Sequence, residues 1–220
     1  MCIRDRYKAQ REETPEAIRL SVPIIKDIIR AYRIPILEVS GYEADDVIGT
    51  LATEAGRQGI ITYMMTPDKD YGQLVSDNVF MYRPKHSGGF EVMGIDEIKA
   101  KFNIQSTEQV IDMLGLMGDS SDNIPGCPGV GEKTAQKLVA EFGSIENLLA
   151  HTDQLKGALK TKVEANREMI TFSKFLATIK VDVPIKLDMT TLVREEPDEE
   201  KLRKIFEELE LSLIHIPEPT

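Results

Sequence analysis

Apolar residues recur at helical spacing through Ile18, Val22, Ile25, Ile28 and Ile29, which predicts a helix running to about Tyr32. Thr14-Pro15 supplies its start, a capping hydroxyl followed by a proline suited to the first helical position. Pro35 ends the pattern, Ile36-Leu37-Glu38-Val39 reads as a short buried strand, and Gly41 turns the chain. A helix is predicted over 42–56 with Val47, Ile48, Leu51 and Ala55 inside, and Gly59 breaks it before a strand at 60–66. Strand, helix and strand in that order predict a βαβ unit with parallel strands and a right-handed crossover. Residues 78–83 read as a further strand, Ser87-Gly88-Gly89 as a turn, and Phe90-Glu91-Val92 as the return of a hairpin. From Ile95 the period becomes helical, with helices predicted at 95–102, 107–117, 132–141, 145–150, 157–171 and 198–209.

This order of elements gives an α/β part at 7–104, with a mainly parallel sheet flanked by helices. An all-α part follows at 105–210. Residues 1–6 and 211–220 share neither periodicity nor composition with the rest and read as non-native ends.

Composition narrows the class. At 220 residues, 41% hydrophobic and 29% charged, the chain can bury a core without staples and is neither disordered nor fibrous. No apolar run is long enough to span a membrane, and the first residues lack the apolar core of a secretion signal, so a cytoplasmic protein is expected. Cys2 and Cys127 form no disulfide framework, and with three scattered histidines they make no zinc pattern. Neither a Walker loop nor a GxSxG elbow is present. The net charge of −10 weighs against a nucleic-acid partner only lightly, because part of the excess lies in 194–210 and a second group of acids sits at turns where cations could neutralise it.

Those turns carry the candidate chemistry. Gly41-Tyr42-Glu43-Ala44-Asp45-Asp46 opens a helix after one predicted strand, and Thr66-Pro67-Asp68-Lys69-Asp70 follows the next. If the two strands are parallel neighbours, both clusters lie at the same end of the sheet, where ligands collect in open α/β folds. A third cluster, Gly118-Asp119-Ser120-Ser121-Asp122-Asn123, follows an apolar helix. Taken singly, each fits a helix cap or an Asx turn. Together, the seven carboxylates Glu43, Asp45, Asp46, Asp68, Asp70, Asp119 and Asp122 would repel one another unless cations intervened. Hard divalent ions with oxygen ligands relieve that repulsion. Two such ions about 3.5–4 Å apart suit in-line displacement at a phosphodiester. Directly after the third cluster, Gly129-Val130-Gly131 links two helices, with Lys133, Thr134 and Lys137 in the first turns of the second. A tight turn with exposed amides before a helix N-terminus suits sequence-independent contact with backbone phosphates.

GYEADD at 41–46, TPDKD at 66–70, GDSSDNIPG at 118–126 and PGVGEKTA at 128–135 together resemble the 5′-nuclease superfamily, in particular the 5′→3′ exonuclease domains of bacterial DNA polymerases I. The likeness covers about residues 7–210. It implies a PIN-like nuclease core followed by a helix–three-turn–helix DNA-binding region. It also implies a structure-specific 5′→3′ exonuclease or 5′-flap endonuclease, acting on nicked or flapped duplex DNA and on RNA primer ends in replication and repair. By the same resemblance, all seven carboxylates hold two Mg²⁺ ions, which Mn²⁺ can replace. Gly129, Val130, Gly131, Lys133, Thr134 and Lys137 grip the duplex, with a K⁺ ion at the hairpin. Tyr7, Lys8 and Arg11 match the end of the family's YKxxR motif in the helical arch, where Lys8 and Arg11 would act on the scissile phosphate.

The family's first strands and their two aspartates have no counterpart here, so an N-terminally truncated fragment is expected, a monomer whose parent chain carries the polymerase. Two other readings stay open: a DNA-junction-binding fragment without catalysis, and a Toprim-like Mg²⁺ phosphotransfer domain. The latter has no need of the GDSSDNIPG block or the hairpin.

Overall fold

The computed structural model describes residues 13–85 and 87–211. The chain divides into two compact units, Val39–Ile185 forming the body of one, and segments on either side of it forming the other.

In the smaller unit, α1 (Glu16–Ala31) packs against α9 (Glu199–Glu208). The Asp198 amide donates to the Ala31 carbonyl at 2.7 Å, and Asp198 then caps α9 by accepting from the Lys201 amide. Proline stands at the N-cap of α1 rather than inside its first turn. The periodicity that predicts α1 does not bury it, since Ile18 and Ile25 remain 54% and 50% exposed. The strand expected at 36–39 does not form. Those residues pair with no strand among the described residues, and Leu37 stays 41% exposed. A four-residue segment with neither a ladder partner nor a covered face has nothing to hold it as a strand. The predicted βαβ unit is therefore absent.

The larger unit opens with α2 (Ala44–Arg57), then β1 (Thr62–Met65), a 3₁₀ helix (Lys69–Leu74), β2 (Val79–Pro84) and β3 (Phe90–Met93). The sheet order is β1-β2-β3. It is mixed rather than mainly parallel: β1 pairs with β2 in parallel, Thr62 opposite Val79, while β3 returns antiparallel with Met93 opposite Met81. One face buries Met64, Val79, Met81 and Met93 in the core. The other carries an aromatic row in which Tyr63 stacks on Phe80 at 5.6 Å and Tyr82 on Phe90 at 4.7 Å. Side chains that alternate across a strand put these two sets on opposite faces.

Helices α3 (Ile95–Phe102), α4 (Val110–Met117), α5 (Glu132–Phe142), α6 (Ile145–Ala150), α7 (Gly157–Ala165) and α8 (Arg167–Ala177) complete the unit. Helix α4 is its axis, with Val110, Met113 and Leu114 fully buried and α8 packed along it. The single helix expected at 157–171 is instead α7 and α8. Asn166 leaves helical geometry, with φ −118° and ψ 21°, and its side-chain amide donates to the Lys162 carbonyl at 2.8 Å. An asparagine that competes for a backbone carbonyl is a known interrupter of helices.

In the first turn of α4, Asp112 lies buried and accepts from the Ile145 amide at 2.9 Å and the Lys174 ammonium at 2.6 Å. This pairing ties α4, α6 and α8 together.

Candidate metal centre and nucleic-acid interface

The first acidic turn sits at the start of α2. Glu43 is the N-cap residue, in extended conformation, and its side chain makes no capping bond. Asp45 and Asp46 occupy the first turn. Asp45 accepts from the Tyr71 hydroxyl at 2.7 Å, and Asp46 accepts from the Lys180 amide at 3.0 Å. The second turn follows β1. Thr66 accepts from the Asp68 amide, and Asp68 caps the 3₁₀ helix by accepting from the Asp70 amide at 3.0 Å. The third turn follows α4. Asp119 and Ile124 exchange backbone bonds of 2.9 and 2.7 Å, and the Asp119 carboxylate accepts from the Ser121 amide at 2.8 Å.

Glycine closes this last loop for a steric reason. Gly118 and Gly126 both have positive φ, and a Cβ on Gly126 would lie 2.4 Å from the Gly118 nitrogen. Only a residue without a side chain fits there.

The turns converge, though not by the expected route. Among the described residues, no strand precedes Glu43. Instead, α2 packs on the 3₁₀ helix, and Tyr71 reaches from that helix to Asp45. Lys69 pairs with Asp119, joining the second turn to the third. Asp70 lies among Asp68, Lys69, Asp119 and Asp122, whose charges all act on it.

Electrostatics mark this junction. Burial, followed by the neighbouring Asp68, pushes Asp70 up to about 7. Its Oδ1 is buried and accepts no hydrogen bond. Burial would lower Lys69, but its bond to Asp119 and the charges of Asp70 and Asp68 raise it above its ordinary value. Burial works to raise Asp119, yet Lys69 and Ser121 hold it below the usual carboxylate range. Tyr71 is pushed up by burial and then by its bond to Asp45.

An unsatisfied buried carboxylate oxygen facing other carboxylates fits a hard divalent cation. Among the described residues, no three His, Cys, Asp or Glu side chains stand close enough to hold one ion unaided.

The hairpin lies between Gly126 and α5. Cys127 and Val130 turn inward, 2% and 4% exposed, and anchor it. Val130 therefore packs the core, while Gly129, Gly131, Lys133 and Lys137 face solvent and Thr134 is half-buried. Gly131 caps α5. Tyr7, Lys8 and Arg11 lie outside the described residues.

Sequence reasoning missed four polar side chains. Lys69 sits inside the TPDKD motif, and Tyr71 follows it by one residue. Only the fold places Lys180 beside Asp46 and over the Tyr42 ring, and Lys162 against Gly129.

An acidic turn that caps a 3₁₀ helix, a second acidic turn joined to it through Lys69, and a glycine hairpin leading into α5 make up the candidate site. Two family models match the chain in succession. Residues 2–103 match the 5′-3′ exonuclease N-terminal resolvase-like domain, and residues 105–200 the 5′-3′ exonuclease C-terminal SAM fold. The chain belongs to the 5′-3′ exonuclease family. It is 42% identical over 205 residues to DNA polymerase I of Bacillus caldotenax, an alignment covering 92% of this chain and 23% of that protein. The chain thus spans about a quarter of the length of such relatives.

Among solved structures, it resembles the bacteriophage T5 flap endonuclease in a pseudo-enzyme–product complex with DNA and metal ions, with TM-score 0.62 and 24% identity over 94% of this chain and 75% of that one. The catalytic core of Rad2 in complex with DNA substrate gives TM-score 0.63 and 17% identity over 94% and 68%. Both likenesses concern the fold. No helix among the described residues is long and apolar enough to cross a membrane.

Proposed function

We propose that this chain is the greater part of a metal-dependent, structure-specific 5′ nuclease that hydrolyses phosphodiesters at 5′ flaps and nicks in duplex DNA and at RNA primer ends. The observation that carries this reading is the junction at Asp70, a half-buried carboxylate whose Oδ1 is buried and unsatisfied amid the charges of Asp68, Asp119 and Asp122. Asp68, Asp70, Asp119 and Asp122 would hold one part of a two-ion Mg²⁺ site, and Glu43, Asp45 and Asp46 the other, with Mn²⁺ able to substitute. Bound there, such ions neutralise charge developing on the attacked phosphate.

The chain's own residues do the rest. Tyr71 and Ser121 orient Asp45 and Asp119. Gly129, Gly131, Lys133, Thr134 and Lys137 fix the duplex backbone, with K⁺ at the hairpin, and Val130 holds the turn in place. Tyr7, Lys8 and Arg11 would steer the scissile phosphate. In this reading residues 7–104 form the nuclease core and 105–210 the DNA grip. The protein works in the bacterial cytoplasm at the nucleoid as part of a polymerase I chain.

Cleavage of a labelled 5′-flap junction with Mg²⁺ or Mn²⁺, beside binding in Ca²⁺, tests the reading. Metal-dependent cutting that Asp68→Ala abolishes supports it. Binding without cutting selects the junction-binding alternative, and neither cutting nor binding removes both.

A further inference from the structure

Helix α7 approaches the hairpin from outside the family motifs. Val163 is fully buried and fixes the helix, and the adjacent Lys162 is exposed. The Lys162 side chain lies along the turn. A Cβ built on Gly129 would meet its Nζ at 2.5 Å, its Cε at 3.5 Å and its Cδ at 3.9 Å. The ammonium therefore covers the exposed Gly129 backbone, which has φ +77°. Glycine suits this position for its left-handed conformation, and the missing side chain lets the lysine tip rest directly on the turn.

The charge of Lys162 reaches the buried Cys127 thiol, which burial raises and Lys162 lowers. Its neighbours on the same helix are already matched. Lys160 pairs with Glu164 at 4.0 Å, and Glu164 also accepts from the Thr152 hydroxyl at 3.0 Å. Lys162, like Lys133 and Lys137 beside the same turn, enters none of the ion pairs among the described residues, whereas Lys160 on its own helix does. An exposed ammonium held against a glycine turn, with no protein anion to satisfy it, is placed for an external one. Lys133 and the N-terminus of α5 present positive charge from the chain that follows the same turn.

We propose that Lys162 is a phosphate-binding residue of the hairpin, taking a nucleic-acid backbone phosphate over Gly129 in concert with Lys133. The inference rests on the duplex-binding role proposed above. Its contact is to phosphate, so it carries no base preference.

The test is duplex binding by the full 220-residue chain, measured by fluorescence anisotropy across a salt series in Ca²⁺. Lys162→Ala is expected to weaken binding about 3- to 10-fold on two unrelated duplex sequences alike. It should also reduce the slope of log affinity against log salt by about 0.9. Lys162→Arg should restore most of both. The thermal midpoint of Lys162→Ala should match that of the wild type, because the side chain is exposed, which separates lost contact from lost fold. If the wild type binds duplex and Lys162→Ala binds equally well with an unchanged slope, the assignment of Lys162 fails while the duplex-binding role stands. If the wild type does not bind duplex, that role fails and takes the assignment with it.

Discussion

Lys69 is the only ammonium that joins two of the acidic turns among the described ion pairs, and it is bound to one of the carboxylates proposed to hold metal. A divalent ion arriving at Asp119 must compete with it. Lys69→Met is therefore expected to tighten Mn²⁺ binding about 3- to 10-fold, the size expected for removing one partly screened charge. The same variant should melt at a lower temperature without metal, because Asp119 and Asp70 then repel with nothing between them. Calorimetric titration and a melting curve in chelator check both effects.

At the same scale, Gly126→Ala must place a methyl group 2.4 Å from the Gly118 nitrogen at a positive φ. A loss of about 2–4 kcal/mol is expected in urea denaturation, combining overpacking with backbone strain.

The acidic residues themselves were legible in the sequence, since carboxylates clustered at turns are visible as letters. The partners that orient them were not. Tyr71 and Lys180 lie 26 and 134 positions from the aspartates they bond, and no local pattern reports such pairings.

Among the elements, those with strong local signals formed where the sequence placed them. Helices α3 and α6 match their predicted bounds, and the β2–β3 hairpin follows its glycine turn. The failures were elements whose existence depends on partners. Residues 36–39 have a strand's composition, but no described strand pairs with them. Residues 157–171 keep helical periodicity across Asn166, which breaks the helix by bonding to the Lys162 carbonyl. The convergence of the first two acidic turns was expected from parallel strands and is achieved by α2 packing on the 3₁₀ helix.

Lys174 shows what holds the helical elements together. Burial opposes its charge, but Asp112 and Glu146 raise it above the ordinary lysine value of 10.5. The stability it contributes is complete below that value and is lost as pH rises through the higher folded value. The stability difference between wild type and Lys174→Met should accordingly hold at pH 7 and shrink at alkaline pH above about 10.5, read from urea midpoints at each pH. Removing the other partner acts on two groups at once. Asp112→Ala leaves the Ile145 amide without its acceptor and the Lys174 ammonium with Glu146 alone, and should cost about 1–3 kcal/mol.

For the whole molecule, the net charge of −10 opposes binding to a polyanion, and the hairpin's few lysines must overcome it locally. Divalent ions at the acidic turns would cancel part of that repulsion. Flap-junction affinity is accordingly expected to fall several-fold when Ca²⁺ is replaced by chelator, and the loss should be largest at low salt. The chain's span of about a quarter of its polymerase relatives means that these properties belong to a module, whose sequence motifs identify its family more readily than its surface charge does.

The claim on which the rest depends is that the three acidic turns together form a two-ion site for divalent cations. Mn²⁺ binding, followed by electron paramagnetic resonance on the wild type, Asp70→Asn and Asp119→Asn, tests it most directly. The account predicts saturable binding by the wild type and a loss of about tenfold or more in each variant, with far-ultraviolet circular dichroism unchanged. No saturable binding by the wild type, or equal affinity in all three proteins, would contradict it.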